Sequence, residues 1–184
     1  VIARSSIPGF KSSEFPALAR DKVRFVGEPI AFCVGATRAE AEDAVQKLQV
    51  DLEELPAVVD PIAARARNTA LVHDHWGDNL FLTTDIDIGF EECAARADVV
   101  VTRQFDLARQ CMMPMEGKGI LAYYDERNDQ LIVYSSTQVP HMIRTGLSEC
   151  LGLDQGKIRV IAPDVGGGFG YKCVIQSEEI LIAW

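Results

Sequence analysis

The run Lys157-Ile-Arg-Val-Ile-Ala162, continued after Pro163 by Asp164-Val-Gly-Gly-Gly-Phe-Gly-Tyr-Lys172, decides how the second half of this chain is read. Its first part is rich in β-branched residues and predicts a strand over 157–162. Its second part sets Gly166, Gly167, Gly168 and Gly170 around Phe169, ahead of a helix expected to begin near Cys173. Glycine lets a backbone turn its N–H groups inward and approach a ligand closely, and a helix start adds the positive end of its dipole. Strand, glycine loop and helix together read as a cradle for an anion. A tight glycine turn without ligand fits the same spacing. In such a turn Phe169 would pack inward, whereas in a site it would form an apolar wall.

Outward from this stretch, residues 118–125 and 130–136 read as two strands, and Asn128-Asp129 supplies their turn. Val139, Met142, Ile143 and Leu147 recur at helical spacing before Gly152, which predicts a helix over 138–151. A short helix near 88–96 and a strand at 98–105 precede them. Nearer the amino terminus, residues 23–34 are β-branched and aromatic, with Gly27 and Pro29 marking a bulge or an edge, and read as a strand. Thr37 and Glu40 form a capping box ahead of a helix carrying Ala41, Ala44, Val45 and Leu48, followed by a short strand at 49–53 and a turn at Asp60-Pro61. Periodicity fades between Arg65 and Asp85. The expected division is an α/β unit over 1–65, a linker over 66–85 and a mixed α/β unit over 86–184, an α+β chain overall.

Composition narrows the function. The 184 residues are 48% hydrophobic, enough for a buried core, and carry Lys+Arg 18 against Asp+Glu 27 for a net charge of −9. No basic run exists to neutralise a row of phosphates, so a nucleic-acid partner is disfavoured. Charges such as Glu28 and Arg38 interrupt every apolar stretch short of the roughly 18 residues of a membrane-spanning helix. Five scattered cysteines, Cys33, Cys93, Cys111, Cys150 and Cys173, form no Cys-x-x-Cys pair and are expected to be reduced and mostly buried, in the cytoplasm. A start at Val1 and an end inside Ile-Leu-Ile-Ala-Trp184 point to a piece of a longer chain.

The loop fits no standard phosphate motif. Tyr171 stands where a dinucleotide fingerprint needs its third glycine, and Gly-Tyr-Lys-Cys is not Gly-Lys-Ser/Thr, so a nucleotide-binding module is disfavoured. His73 and His75 make two of the ligands a metal site requires and read as surface residues of the linker. His141 falls in the first turn of a helix, where a cation gains nothing from the dipole. Lys172 would neutralise an anion or solvate the loop end, and Glu178-Glu179 would form a solvated face.

Six segments, DKVRFVGEPIAFCVGATRAEAEDAV, VDLEELPAVVDPIAA, LVHDHWGDN, PMEGKGILAYYD, SSTQVPHMIR and LGLDQGKIRVIAPDVGGGFGYK, cover most of the chain. Together they resemble the large, molybdopterin-binding subunit of the xanthine dehydrogenase and aldehyde oxidase family. The resemblance implies a hammerhead α/β domain, partial here, then the beginning of a molybdenum-binding domain. It implies that Gly167, Gly168, Phe169 and Gly170 lie against the molybdenum centre, with Phe169 flanking the substrate. It implies that Gln110, six residues before Glu116, hydrogen-bonds an oxo ligand of the metal. Because the pterin dithiolene supplies the sulfur ligands, no metal-binding cysteine is expected. The implied reaction inserts water-derived oxygen into a C–H bond of an aldehyde or N-heteroaromatic compound. Its glutamate base is expected in a carboxy-terminal segment outside these residues, so no catalytic residue is assigned here. Iron–sulfur clusters and FAD on partner chains or domains would carry the electrons away. Cys173 follows Lys172 where purine-oxidising members carry glutamate, which speaks against a purine substrate. Cys111-Met112-Met113 replaces more polar residues, as an apolar wall or, preferably, as methionines filling core gaps. The rival expectation is a non-catalytic scaffold or assembly subunit with an empty glycine loop.

Overall fold

The computed structural model describes residues 2–3, 11, 13–14, 16–84 and 86–184. Its ordered heart is a three-stranded sheet of β3 (Ile120–Asp125), β4 (Gln130–Ser135) and β5 (Ile158–Ile161) in the order β3-β4-β5. Strands β3 and β4 form an antiparallel hairpin running from Ile120↔Ser135 to Asp125↔Gln130. Its turn is held by the Asp125 carboxylate, which accepts from the Arg127 and Asn128 N–H groups at 3.1 and 3.3 Å, while Asp129 takes a φ of 52°. An aspartate tolerates that left-handed conformation better than most residues.

Helix α3 (Pro140–Leu151) carries the chain from β4 to β5, which lies parallel to β4 in a register from Leu131↔Ile158 to Tyr134↔Ile161. Proline at its first position needs no N–H partner, and Gly152 ends it at φ 69°, its N–H donating to Ser148 O at 3.0 Å. Helix α4 (Ser177–Ala183) packs beside α3 on the same face of the sheet, α4 over β3 and α3 over β5. The core between the layers is Leu131, Val133, Ile143, Leu147, Ile158, Ile180 and Ala183. The helical spacing of Ile143 and Leu147 and the alternation of Leu131 with Val133 bring these side chains to one plane.

The amino-terminal part is looser. A two-residue pair, β1 (Ile2–Ala3) with β2 (Ser13–Glu14), precedes helix α1 (Arg38–Gln46). Thr37 Oγ1 accepts from Glu40 N at 3.3 Å, and the Glu40 carboxylate reaches back to Ala36 N at 3.0 Å, one residue earlier than a regular capping box. Helix α2 (Phe90–Arg96) lies where a short helix is expected. The segment expected to be a linker is self-braced: Asn79 Oδ1 accepts from Val72 N at 2.9 Å, and its amide donates to Ala64 O and Ala70 O at 3.2 and 2.9 Å.

Three expected strands, 23–34, 49–53 and 98–105, carry no ladder among the described residues. Their apolar side chains stand in the open, with Val26 at 103% relative exposure and Phe105 at 81%. β-Propensity marks a residue that suits a pleated, half-buried surface, but a strand exists only where a neighbouring backbone takes its hydrogen bonds. The last helix begins at Ser177 instead of near Cys173, because the Tyr171 and Cys173 N–H groups turn back to Gly168 O and Gly170 O at 2.8 and 3.1 Å. Its own capping box takes up the Gln176 and Glu179 N–H groups.

Candidate functional site: a glycine cradle at the carboxyl ends of the parallel strands

The loop leaves the carboxyl end of β5 beside the carboxyl end of its parallel neighbour β4. In open α/β sheets this is where ligands gather. Gly167 and Gly170 adopt φ of 91° and 88°, and Phe169 between them is held at 50°. The two glycines occupy that region at no steric cost, while phenylalanine there is strained.

Most loop amides are tied off. Gly167 N–H donates to Val165 O at 3.0 Å and Gly170 N–H to Gln138 Oε1 at 3.1 Å, while Gly166 N–H donates to the Glu116 carboxylate. The N–H groups of Gly168 and Phe169 donate to no acceptor among the described residues. The inward-turned donors expected of four glycines thus reduce to two neighbouring amides, one of them on a buried glycine. Close packing explains the glycines on either side: a Cβ on Gly166 would lie 2.6 Å from Glu116 Oε2, and one on Gly168 would collide with the Gln138 amide.

Beneath the loop lies a charged knot. Lys172 is wholly buried and its ammonium meets Glu116 Oε1 at 3.0 Å. Ser136 Oγ donates to the same carboxylate oxygen. The hydroxyl, then the ammonium, then the Gly166 N–H hold the Glu116 carboxyl down to about 2 from its ordinary 4.5. Lys172 therefore neither solvates the loop end nor is free to meet an anion, since its charge is already answered inside the protein. Glu179, expected on a solvated face, is likewise wholly buried. It accepts from Ser135 Oγ at 2.6 Å and pairs with Lys118 Nζ at 2.8 Å, at angles that give the ammonium no hydrogen bond.

Gln110 is exposed in the irregular segment before Pro114, and no described contact joins it to the loop. The same segment does abut the loop further on, where Pro114 Cβ stands 3.4 Å from the Cβ position of Gly167 and Met112 Sδ 3.6 Å from that of Gly170. Phe169 is 72% exposed, so its ring fills no core, as it would in a mere turn. Met112 and Met113 are exposed as well, which overturns the expectation that the methionines of Cys111-Met112-Met113 fill core gaps. All five cysteines are free, and none is buried: Cys93, Cys111 and Cys150 are exposed, Cys33 and Cys173 half-buried, a correction to the expected interior thiols.

His73 stacks on Trp76 with ring centroids 4.1 Å apart, and partial burial, then the nearby Arg24 charge, lowers its pKa. Among the described residues no three His, Cys, Asp or Glu side chains stand close enough to hold a metal ion. His141 is exposed and shares a surface cleft with Arg144 and Arg159, outside the glycine cradle. Glu116, Gln138 and Ser136 are site residues that motif reading passed over. Their signal lay in position, since Ser136 to Gln138 directly follow the central strand, at the end of the sheet where sites form.

A two-layer α/β unit with free amides in a glycine loop at the carboxyl end of its parallel strands has the build of a ligand-binding domain. The family model described as "Molybdopterin cofactor-binding domain" matches residues 72–184, and the chain belongs to this family, that of the molybdopterin-binding large subunits of xanthine dehydrogenase and aldehyde oxidase type. It is 36% identical over 98% of its length to the nicotine 6-hydroxylase large subunit of Paenarthrobacter nicotinovorans, of which it spans 22%. Among solved structures it resembles quinoline 2-oxidoreductase from Pseudomonas putida 86, with a TM-score of 0.84 and 36% identity over 98% of this chain and 23% of that one. Aldehyde oxidoreductase from Desulfovibrio gigas matches with a TM-score of 0.78 and 30% identity, over 97% of this chain and 20% of that one. The chain thus spans about a fifth of the length of these relatives. The cradle fits such a cofactor, because it offers unspent amide donors where side chains have no room. Among the described residues no helix is long and apolar enough to cross a membrane.

Proposed function

We propose that this chain forms one wall of the molybdopterin site in a molybdenum hydroxylase that inserts water-derived oxygen into a C–H bond of an aldehyde or N-heteroaromatic compound. The observation that carries the reading is the pair of unspent amides on Gly168 and Phe169, between the Gly166, Gly167 and Gly170 amides that already have acceptors, in a chain of this family.

When bound, the molybdenum cofactor supplies the oxygen transfer and accepts the two electrons. The chain's own residues bind, orient and exclude. Backbone from Gly167 to Gly170 faces the cofactor, and the two free N–H groups donate to its oxygens without bringing charge. Gln110 adds a neutral carboxamide donor from the neighbouring segment. The exposed ring of Phe169 forms an apolar side wall of the substrate pocket and keeps water from the reacting carbon. The base that accepts the proton comes from a carboxy-terminal segment outside these residues.

In this reading residues 1–65 form part of a hammerhead unit, 66–85 a linker and 86–184 the amino-terminal part of the cofactor-binding domain. Electrons leave through iron–sulfur clusters and FAD on partner chains or domains, and the free cysteines support a cytoplasmic assembly. Molybdenum and pterin analysis of the intact assembly, with hydroxylase assays on aldehydes and N-heterocycles, tests it. Stoichiometric molybdenum with activity is expected. A complete assembly lacking both would leave the chain as a scaffold with an empty loop.

A further inference from the structure

The loop's two ends are pinned by side chains that arrive from far along the sequence. Gln138 accepts from Gly170 N–H at 3.1 Å, while its own backbone N–H and the Thr137 hydroxyl donate to Lys172 O at 3.0 and 3.1 Å. At the other end Glu116 and Gly166 are joined twice: the Glu116 carboxylate takes the Gly166 N–H, and Glu116 N–H donates to Gly166 O at 3.4 Å. One carboxylate therefore answers three donors, the Gly166 amide, the Ser136 hydroxyl and the Lys172 ammonium. We propose that Glu116 is a positioning residue for the molybdopterin site, a charge latch that holds Gly166 against Lys172 and thereby fixes the Gly168 and Phe169 amides in register with the cofactor. The proposal rests on the reading given under Proposed function.

The chemistry demands a carboxylate at this position. Lys172 has no exposed surface, so its ammonium has no water to fall back on, and a buried charge without a counter-charge is expensive. A glutamine in place of Glu116 would keep one acceptor oxygen for the Gly166 amide but would set a neutral group against the ammonium. Ser136 can rotate its hydroxyl and become an acceptor, whereas Lys172 carries three donors and no acceptor. The loop would then have to move until Lys172 reaches water, and Lys172 lies two residues from Gly170. No other described carboxylate is within reach of Lys172.

The test uses the intact assembly with Glu116→Gln, the pair Glu116→Gln with Lys172→Met, and Glu126→Gln on the exposed hairpin turn as control. Hydrogen–deuterium exchange of the 164–172 peptide, molybdenum content, and electron paramagnetic resonance of the reduced molybdenum centre are measured. Glu116→Gln is expected to speed exchange in 164–172 by about tenfold or more, to leave the β3–β4 peptides unchanged, and to alter the molybdenum signal. Removing the stranded ammonium in the paired variant is expected to restore loop protection to within about threefold of the parent. Unchanged loop exchange in Glu116→Gln, or a paired variant no better protected than the single one, would overturn the latch. If Glu116→Gln does not assemble, Ser136→Ala serves instead, with faster loop exchange expected and unchanged exchange refuting. A parent assembly without molybdenum would sink the cofactor reading alone, since loop exchange still decides the latch.

Discussion

Glu116 and Gly166, fifty residues apart, are hydrogen-bonded to each other in both directions, carboxylate to amide N–H and amide N–H to carbonyl. The glycine loop is therefore not free backbone that waits for a ligand. It is a shaped segment, braced by a carboxylate and a carboxamide, with the adjacent Gly168 and Phe169 donors left unclaimed at its centre.

Acid should release that brace. The Glu116 carboxyl is depressed to about 2 from 4.5, so folding favours its ionised form. Its contribution is complete above the ordinary value and is lost as pH falls through the folded one. Loop protection measured by hydrogen exchange should hold at pH 6 and 5 and decline between about 4.5 and about 2, ahead of any change at neutral or alkaline pH.

A methyl group on Gly168 should damage the site and spare the fold. Its Cβ would strike the Gln138 amide, whose exposed end can swing away, and Gly170 N–H would lose its acceptor. Gly168→Ala should change global stability by less than about 1 kcal/mol. Molybdenum content of the assembly should fall several-fold, measured beside a thermal melt that stays put.

The second buried charge pair should behave in the opposite way. Glu179 is wholly enclosed between Lys118 and Ser135, on a helix that packs against β3. Glu179→Ala strands the Lys118 ammonium and should cost about 3–5 kcal/mol in denaturant unfolding. A loss below 1 kcal/mol would show that water already reaches Lys118.

Gln110 offers a clean separation of roles. It is exposed and forms no described contact with the loop, so Gln110→Ala should leave the melting temperature unchanged. In the intact assembly kcat should fall by about one to two orders of magnitude, because on the proposed reading a neutral donor to an oxygen of the cofactor would be lost. Unchanged kcat would remove Gln110 from the site.

What could be read from sequence divides along a physical line. The β3–β4 hairpin, α3 and β5 were legible because short apolar runs, an Asn-Asp turn, helical spacing and Gly152 are local signals. The apolar runs at 23–34, 49–53 and 98–105 look like strands locally, yet strand formation depends on a neighbouring backbone that local sequence does not encode. The same limit applied at the site. Glycine content announced a cradle, but which amides stay free depends on Glu116 and Gln138 arriving from outside the loop. Burial of Lys172 and Glu179 was hidden for the same reason, since each charge is answered by a residue distant in the chain.

Phe169 sits at a φ of 50° with most of its ring in the open. Its ring edge lies over Gly167 and outside the core, so the core owes nothing to the ring. Exchanging the side chain at this position would therefore leave the core contacts untouched, and only the left-handed backbone, which penalises β-branched residues, would limit which chemistries can be tried at the mouth of the cradle.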